Sequence, residues 1–256
     1  MSDLRVTDEG NEDGAGFIKN IAIDTVIFGF HDNQLKVLLI KYKHTSLFAL
    51  PGGFIREKED LNAAARRVAS ERTGLDHIFL EQFYVFGDYS RYDPGPFKMM
   101  MRLNGVDPSN YHWLLQRFIS VGYYALVDFV KVKPKPAIIF DSCEWYHLNN
   151  LPNLIQDHNQ IIKKALETLR ANLDEKLIGF NLLPRDFTMG ELQKLYETIL
   201  DKKLDRRNFQ RRMLGFGILS KSENPRKGGA HKAPYLYSFN LQNYEAALKE
   251  GFKGGW

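Results

Sequence analysis

The run from Gly53 to Leu75, GFIREKEDLNAAARRVASERTGL, constrains this chain more than any other stretch. It joins a glycine pair, a charged loop and a helix whose two ends are both marked. Leu61, Ala64, Ala65, Val68 and Ala69 recur at helical spacing, so residues 60–73 are expected to form a helix with one apolar face. Gly74 is expected to close it in a left-handed turn. Positions 68, 71 and 72 stand at i, i+3 and i+4 and are expected to share one surface.

The spacing of Gly53, Glu59, Arg67, Glu71, Gly74 and Leu75 resembles the Nudix box, G-x5-E-x7-R-E-U-x-E-E-x-G-U. The resemblance implies a helix surface on which three carboxylates hold Mg²⁺ or Mn²⁺ against a pyrophosphate. Two of the three are replaced, the first by Val68 and the last by Arg72. A guanidinium stays protonated at any working pH and repels a divalent ion. Glu71 alone does not compensate, and Glu59 sits on the preceding loop. The expectation is a retained pocket without hydrolysis: no catalytic residue, no metal, no cofactor. The bland alternative leaves Glu71 and Arg72 on a solvated face.

At 256 residues the chain is long enough for two cores. Residues 1–16 are polar, acidic and unlike a signal peptide, and are expected to be disordered. No apolar run reaches the roughly 18 residues of a membrane helix. A single cysteine, Cys143, suits a reducing cytosol, so the chain is expected to be cytoplasmic and no membrane partner is expected. Strands are expected over 20–30, 35–41, 77–86, 118–127 and 138–147, and a long helix over 153–172. Residues 97–117 read as an insertion, and 131–136 as an exposed connector. The pattern fits an α+β chain with an α/β/α sandwich over 17–175, followed by a second domain over 176–256.

In that second domain Thr188 and Glu191 make a capping-box pair, with Phe187 and Leu192 placed as a hydrophobic staple. Asp205 is expected to cap a second helix over 206–214. Residues 218–221 and 235–240 are expected to form a hairpin, completing a winged helix-turn-helix. On the second helix Phe209, Met213 and Phe216 fall on one side and Arg207, Gln210 and Arg211 on the other, with Arg206, Asn208 and Arg212 flanking. Outward Arg and Gln suit base edges, and flanking groups suit phosphates. From Lys202 to Lys232 ten Lys/Arg face only two acids, so the rest of a chain of net charge +4 is acidic. Such asymmetry points to double-stranded DNA, contacted by Thr188, Arg206, Arg207, Asn208, Gln210, Arg211, Arg212, Lys227 and Lys232.

LPGGF with the degenerate box, GFNLLP, FTMGELQKLYETIL and LDRRNFQRRM together make the chain resemble the Nudix-related transcriptional regulators. One branch of that family binds ADP-ribose. The arabinose regulators of Bacteroidetes, which also lose box carboxylates and bind a pentose, look closer. The resemblance implies a homodimer on a palindromic operator, released by a small-molecule effector. Position suggests Lys41, Arg56, Glu59, Arg67, Glu71, Arg72, Arg91 and Tyr92 as effector contacts. The competing readings are an ADP-ribose-type pyrophosphohydrolase with an appended DNA-binding domain, and a non-hydrolytic ADP-ribose sensor. Asp157 and His158 are expected only to cap or decorate the long helix.

Overall fold

The structure, a computed structural model, describes residues 14–75, 78–134, 140–173, 182–222 and 234–250. Two compact units emerge, residues 1–30 with 35–168, and residues 31–34 with 169–256. The boundary expected near residue 175 lies outside the described residues, as do Lys227 and Lys232.

The first unit contains β1 (Phe17–His31), β2 (Gln34–Tyr42), β3 (Phe48–Ala49), β4 (Gly52–Arg56), α1 (Leu61–Thr73), β5 (Phe79–Phe86), α2 (Gly95–Leu103), β6 (Ile119–Asp128), β7 (Phe140–His147) and α3 (His158–Ala171), whose last residues run into the second unit. Its mixed sheet runs β3-β2-β1-β6-β5, with β4 also paired to β1 and β7 to β2. β1 and β6 are parallel, Ile21 opposite Ile119 through Phe30 opposite Asp128. Both carry unbroken buried runs, because helices cover the sheet on its two faces. Ile23 packs with Ala64 and Ala65 of α1, whereas the next residue, Asp24, faces His158 of α3. That alternation makes an α/β/α sandwich.

α1 begins where expected. Asp60 accepts the Ala63 N–H at 2.8 Å, and Gly74 closes the helix at φ 70°. Its apolar face differs in one place, since Leu61 at the first turn is exposed and Thr73 is buried instead. Gly53 lets α1 sit close on β4; a Cβ there would fall 2.6 Å from Val68 Cγ2.

Several boundaries differ from expectation for local reasons. α3 starts at His158 because Leu154 forms a parallel bridge to Phe48, and Gln156 takes φ 48°. Residues 95–115, within which most of the expected insertion falls, fold into α2 and a 3-10 segment over Pro108–Leu115. Residues 14–16 of the expected disordered tail are ordered: Gly16 O accepts the Glu57 N–H at 2.9 Å, and Gly14 abuts Trp113. In the connector after β6, Val132 is buried rather than exposed, drawn into the core beside Phe140 and Cys143.

The second unit holds β8 (Phe187–Thr188), α4 (Met189–Leu200), α5 (Arg206–Gly215), β9 (Leu219–Lys221), β10 (Leu236–Phe239) and α6 (Leu241–Glu250). The strands form an antiparallel sheet ordered β8-β10-β9. Thr188 and Glu191 make the reciprocal capping box. Phe187, Leu192, Leu195, Ile199, Phe209 and Met213 are buried together with Tyr237, and Tyr196 meets Phe209 edge-on. The turn between helices is clamped: Glu197 accepts the Leu204 N–H at 2.9 Å and Gln193 donates to Leu204 O at 2.9 Å. α6, absent from the sequence reading, is opened by Asn240, which accepts the Asn243 N–H at 3.0 Å.

Candidate functional site

A cavity of about 180 Å³ lies in the first unit, between the box helix, the ends of β1 and β6, the start of α3 and the 95–115 segment. Phe97, Met100, Met101, Trp113 and Leu114 from that segment form much of its apolar wall. Trp113 stands against Phe54, centroids 4.8 Å apart, and against Phe118 at 6.2 Å. The 95–115 segment therefore walls one side of the cavity.

One end of the cavity is a buried charge cluster. Arg91, 6 % exposed, donates to both oxygens of Asp157 at 3.0 and 3.1 Å and to Phe118 O at 2.7 Å. The same guanidinium lies 3.6 Å from Asp24, which also accepts from the Ser120 hydroxyl. His158 Nδ1 accepts the Leu50 N–H at 2.9 Å, so a neutral ring carries its proton on Nε2, 3.7 Å from Asp24. Burial holds the His158 pKa below its ordinary value, and the pull of Asp24 does not offset it. Asp157 and His158 therefore do more than decorate α3. They anchor Arg91 and the Leu50 backbone beside the cavity, Asp157 from the position just before α3 and His158 from its first residue.

At another part of the wall stands Arg72. Its guanidinium lies over the Phe140 ring at 5.4 Å. Tyr42 and Cys143 share this neighbourhood. Burial first, then Asp24, raises the Tyr42 pKa, so its hydroxyl remains a donor; burial pushes the Cys143 thiol up to about 11.

The expected effector residues separate into two groups. Arg72 and Arg91 reach the cavity. Lys41 instead pairs with Asp141 at 3.8 Å, and Tyr92 donates to Leu115 O at 3.0 Å. Arg56 is exposed, while its N–H donates to Glu59 at 3.2 Å. Arg67 braces the box loop: it donates to Glu59 at 2.9 and 2.8 Å and to Phe54 O at 2.8 Å, and lies 3.6 Å from Glu71. The Arg67 hydrogen bonds hold the Glu59 carboxyl below the usual range.

The three box positions do not share one surface as expected. Val68 is buried under Gly53, Glu71 leans on Arg67, and Arg72 turns to the cavity. Such a donor set does not fit a divalent ion: one position is a hydrocarbon, one a cation, and both remaining carboxylates are engaged by the same arginine. Among the described residues no cluster of three His, Cys, Asp or Glu is placed to hold a metal. Sequence reading missed Asp24, Ser120 and Trp113. Asp24 carried a signal, a carboxylate inside the apolar run NIAIDTVIF.

In the second unit Asp205 caps α5 by accepting the Asn208 N–H at 2.9 Å. Phe209 and Met213 point into the core. Arg206, Arg207, Asn208 and Arg211 are exposed, and Gln210 and Arg212 half-buried. Arg211 donates to Asn208 at 3.1 Å, and Arg212 lies over the Phe216 ring at 5.6 Å. Thr188 is occupied by its capping box at the start of α4. Among the described residues no helix is long and apolar enough to cross a membrane.

Comparison with known proteins matches residues 20–169 to the NUDIX domain and residues 179–239 to the NrtR DNA-binding winged helix domain. The ADPR responsive transcriptional repressor NtrR of Acinetobacter baylyi is 31% identical over 232 residues, 88% of this chain and 84% of that relative. An ADP-ribose pyrophosphatase of Methanocaldococcus jannaschii is 31% identical over 146 residues, 56% of this chain and 70% of its own. The crystal structure of Shewanella oneidensis NrtR superimposes with a TM-score of 0.67 at 28% identity, covering 88% of this chain and 96% of that one. The same protein complexed with a 27mer DNA gives 0.64 at 26%, covering 89% and 96%. The Acinetobacter relative is thus described as responding to ADP-ribose, rather than to the pentose expected from the arabinose branch. The matched domains and the full-length relatives agree: the chain belongs to the NrtR-type regulator family, in which a Nudix domain precedes a winged helix.

Proposed function

We propose that this protein is a DNA-binding transcriptional repressor whose Nudix domain holds a small ligand without hydrolysing it and so controls release of DNA. The observation that carries this reading is the pairing of two sites. A cavity lined by Arg72 stands beside the box helix that has lost its metal-binding carboxylates, and an exposed basic helix is set on a winged-helix core. The winged-helix match supports the DNA half, and the Acinetobacter relative supports the ligand half.

α5 is the reading helix. Arg207, Gln210 and Arg211 address base edges; Arg206, Asn208 and Arg212 address phosphates. The protein acts in the cytoplasm as a homodimer on a palindromic operator, its half-sites about one or two helical turns apart. Ligand control requires that the ligand bind the DNA-free arrangement more tightly than the DNA-bound one.

For the ligand, the relatives favour ADP-ribose. A second reading, a free pentose, is favoured by the cavity, whose 180 Å³ falls short of the roughly 300–1,000 Å³ of drug-sized ligand sites. Gel shifts with the full chain and DNA from its own upstream region test the proposal. Binding at moderate salt, reversed by ADP-ribose or by a pentose, is the expected result. Failure to bind that DNA under any ligand condition contradicts it. Thermal shifts then separate the two ligands, since each stabilises only the state it binds.

A further inference from the structure

Three arginines approach the Nudix cleft, and their surroundings differ in kind. Arg67 spends its donors on Glu59 and Phe54 O, and Arg91 spends its donors on Asp157 and Phe118 O. Arg72 has neither arrangement. Its Nε is buried and has no hydrogen-bond partner among the described residues. No carboxylate of the described residues lies within ion-pair distance of it, and its visible contact is the face of Phe140. A half-buried cation facing an apolar wall carries an uncompensated desolvation cost. An anionic ligand removes that cost, and a planar fork suits phosphate or carboxylate oxygens.

We propose that Arg72 is the anion-binding residue of this cleft, taking the place of the divalent ion and receiving a phosphate of a ribose-linked ligand directly. The inference rests on the reading of the cleft as a ligand site and adds which group of the ligand it holds. Three features support it. Arg72 occupies a box position that the resemblance assigns to a metal-binding carboxylate, and it lines the cavity. The Tyr42 hydroxyl lines the same wall and supplies a second donor. Asp24 and His158 also line the cavity, Asp24 as an acceptor and the His158 Nε2–H as a donor for sugar hydroxyls. A free sugar phosphate and the ribose phosphate of ADP-ribose share this chemistry.

Calorimetric titration of the full chain with ADP-ribose, ribose 5-phosphate and neutral ribose, each in excess EDTA and in Mg²⁺, tests the assignment. The expected result is binding of at least one phosphate ligand, equally tight in EDTA and in Mg²⁺. Which of the two binds identifies the source of the phosphate. Arg72→Gln is expected to weaken it about 10- to 100-fold, the range for losing a hydrogen bond to a charged group. Should Arg72→Gln fail to fold, Arg72→Lys keeps the charge, loses the fork and is expected to bind more weakly but still without metal. A Mg²⁺ requirement, wild-type affinity in Arg72→Gln or Arg72→Lys, or tight binding of neutral sugar alone overturns the proposal. Those outcomes leave DNA release intact, whereas loss of DNA binding in the unmodified protein sinks the regulatory reading instead.

Discussion

α1 and α5 are built by the same local rules and put to opposite uses. Each starts on an aspartate that accepts the N–H three residues on, at 2.8 Å in α1 and 2.9 Å in α5. Each is rich in arginine, with Arg66, Arg67 and Arg72 in the first and Arg206, Arg207, Arg211 and Arg212 in the second. In α1, two arginines are drawn inward, Arg67 to brace a loop and Arg72 to line a cavity. In α5, Phe209 and Met213 occupy the buried face, so Arg206, Arg207 and Arg211 are left in solvent. Capping chemistry sets where each helix begins; the apolar residues decide which arginines turn inward and which stay in solvent.

The sharpest break in that comparison comes from the cluster behind α1. Arg91→Ala strands Asp24 and Asp157 without their cation, and is expected to cost the Nudix unit about 3–5 kcal/mol, read by denaturant unfolding. A loss well under 1 kcal/mol would mean that the cluster is not a structural brace. On α5, Arg207→Ala or Arg211→Ala is expected to cost about 1–3 kcal/mol of specific DNA affinity with no change in melting temperature. Equal losses on matched and scrambled DNA would assign both residues to phosphates rather than bases.

Removing the shared feature is a smaller test. Asp60→Ala and Asp205→Ala are each expected to cost about 1 kcal/mol of stability, the first in the Nudix unit and the second in the winged helix. If either costs nothing, the two helices do not begin by the same rule. The smallest effect is on pH. His158 is buried with its pKa below the ordinary 6.5. Between that lowered value and 6.5 the unfolded chain binds more protons than the folded one, so stability is full above 6.5 and falls as the pH falls towards the folded pKa. Thermal melts over that window are expected to show the decline, and His158→Gln to flatten it. A wild-type profile that is already flat there would place the ring in a less buried setting.

How legible each region was depends on the range of the interactions that build it. The capping box at Thr188, the Asp205 cap, the Gly74 terminus and the stripe Leu192, Leu195, Tyr196, Ile199 are local, and all were readable in sequence. The late start of α3 was not, because it depends on Leu154 bridging to Phe48, more than a hundred positions away. Nor was the role of Asp157 and His158, which is set by Asp24 and Arg91 on distant elements. The insertion gave mixed signals. Its Met, Tyr and Trp content is plain in the sequence, but only the fold places Met101 and Trp113 against the cavity. Lys41, Arg56 and Tyr92 were selected by proximity in sequence to the cleft, and their side chains turn elsewhere.

The central claim is that the altered cleft receives a ligand and reports it to DNA without metal. Fluorescence anisotropy of upstream DNA bound to the full chain, followed in excess EDTA while ADP-ribose is added, tests it most directly. The account predicts that DNA is released and that the ADP-ribose is recovered intact. Release that needs Mg²⁺ and accompanies cleavage to AMP and ribose 5-phosphate would contradict it.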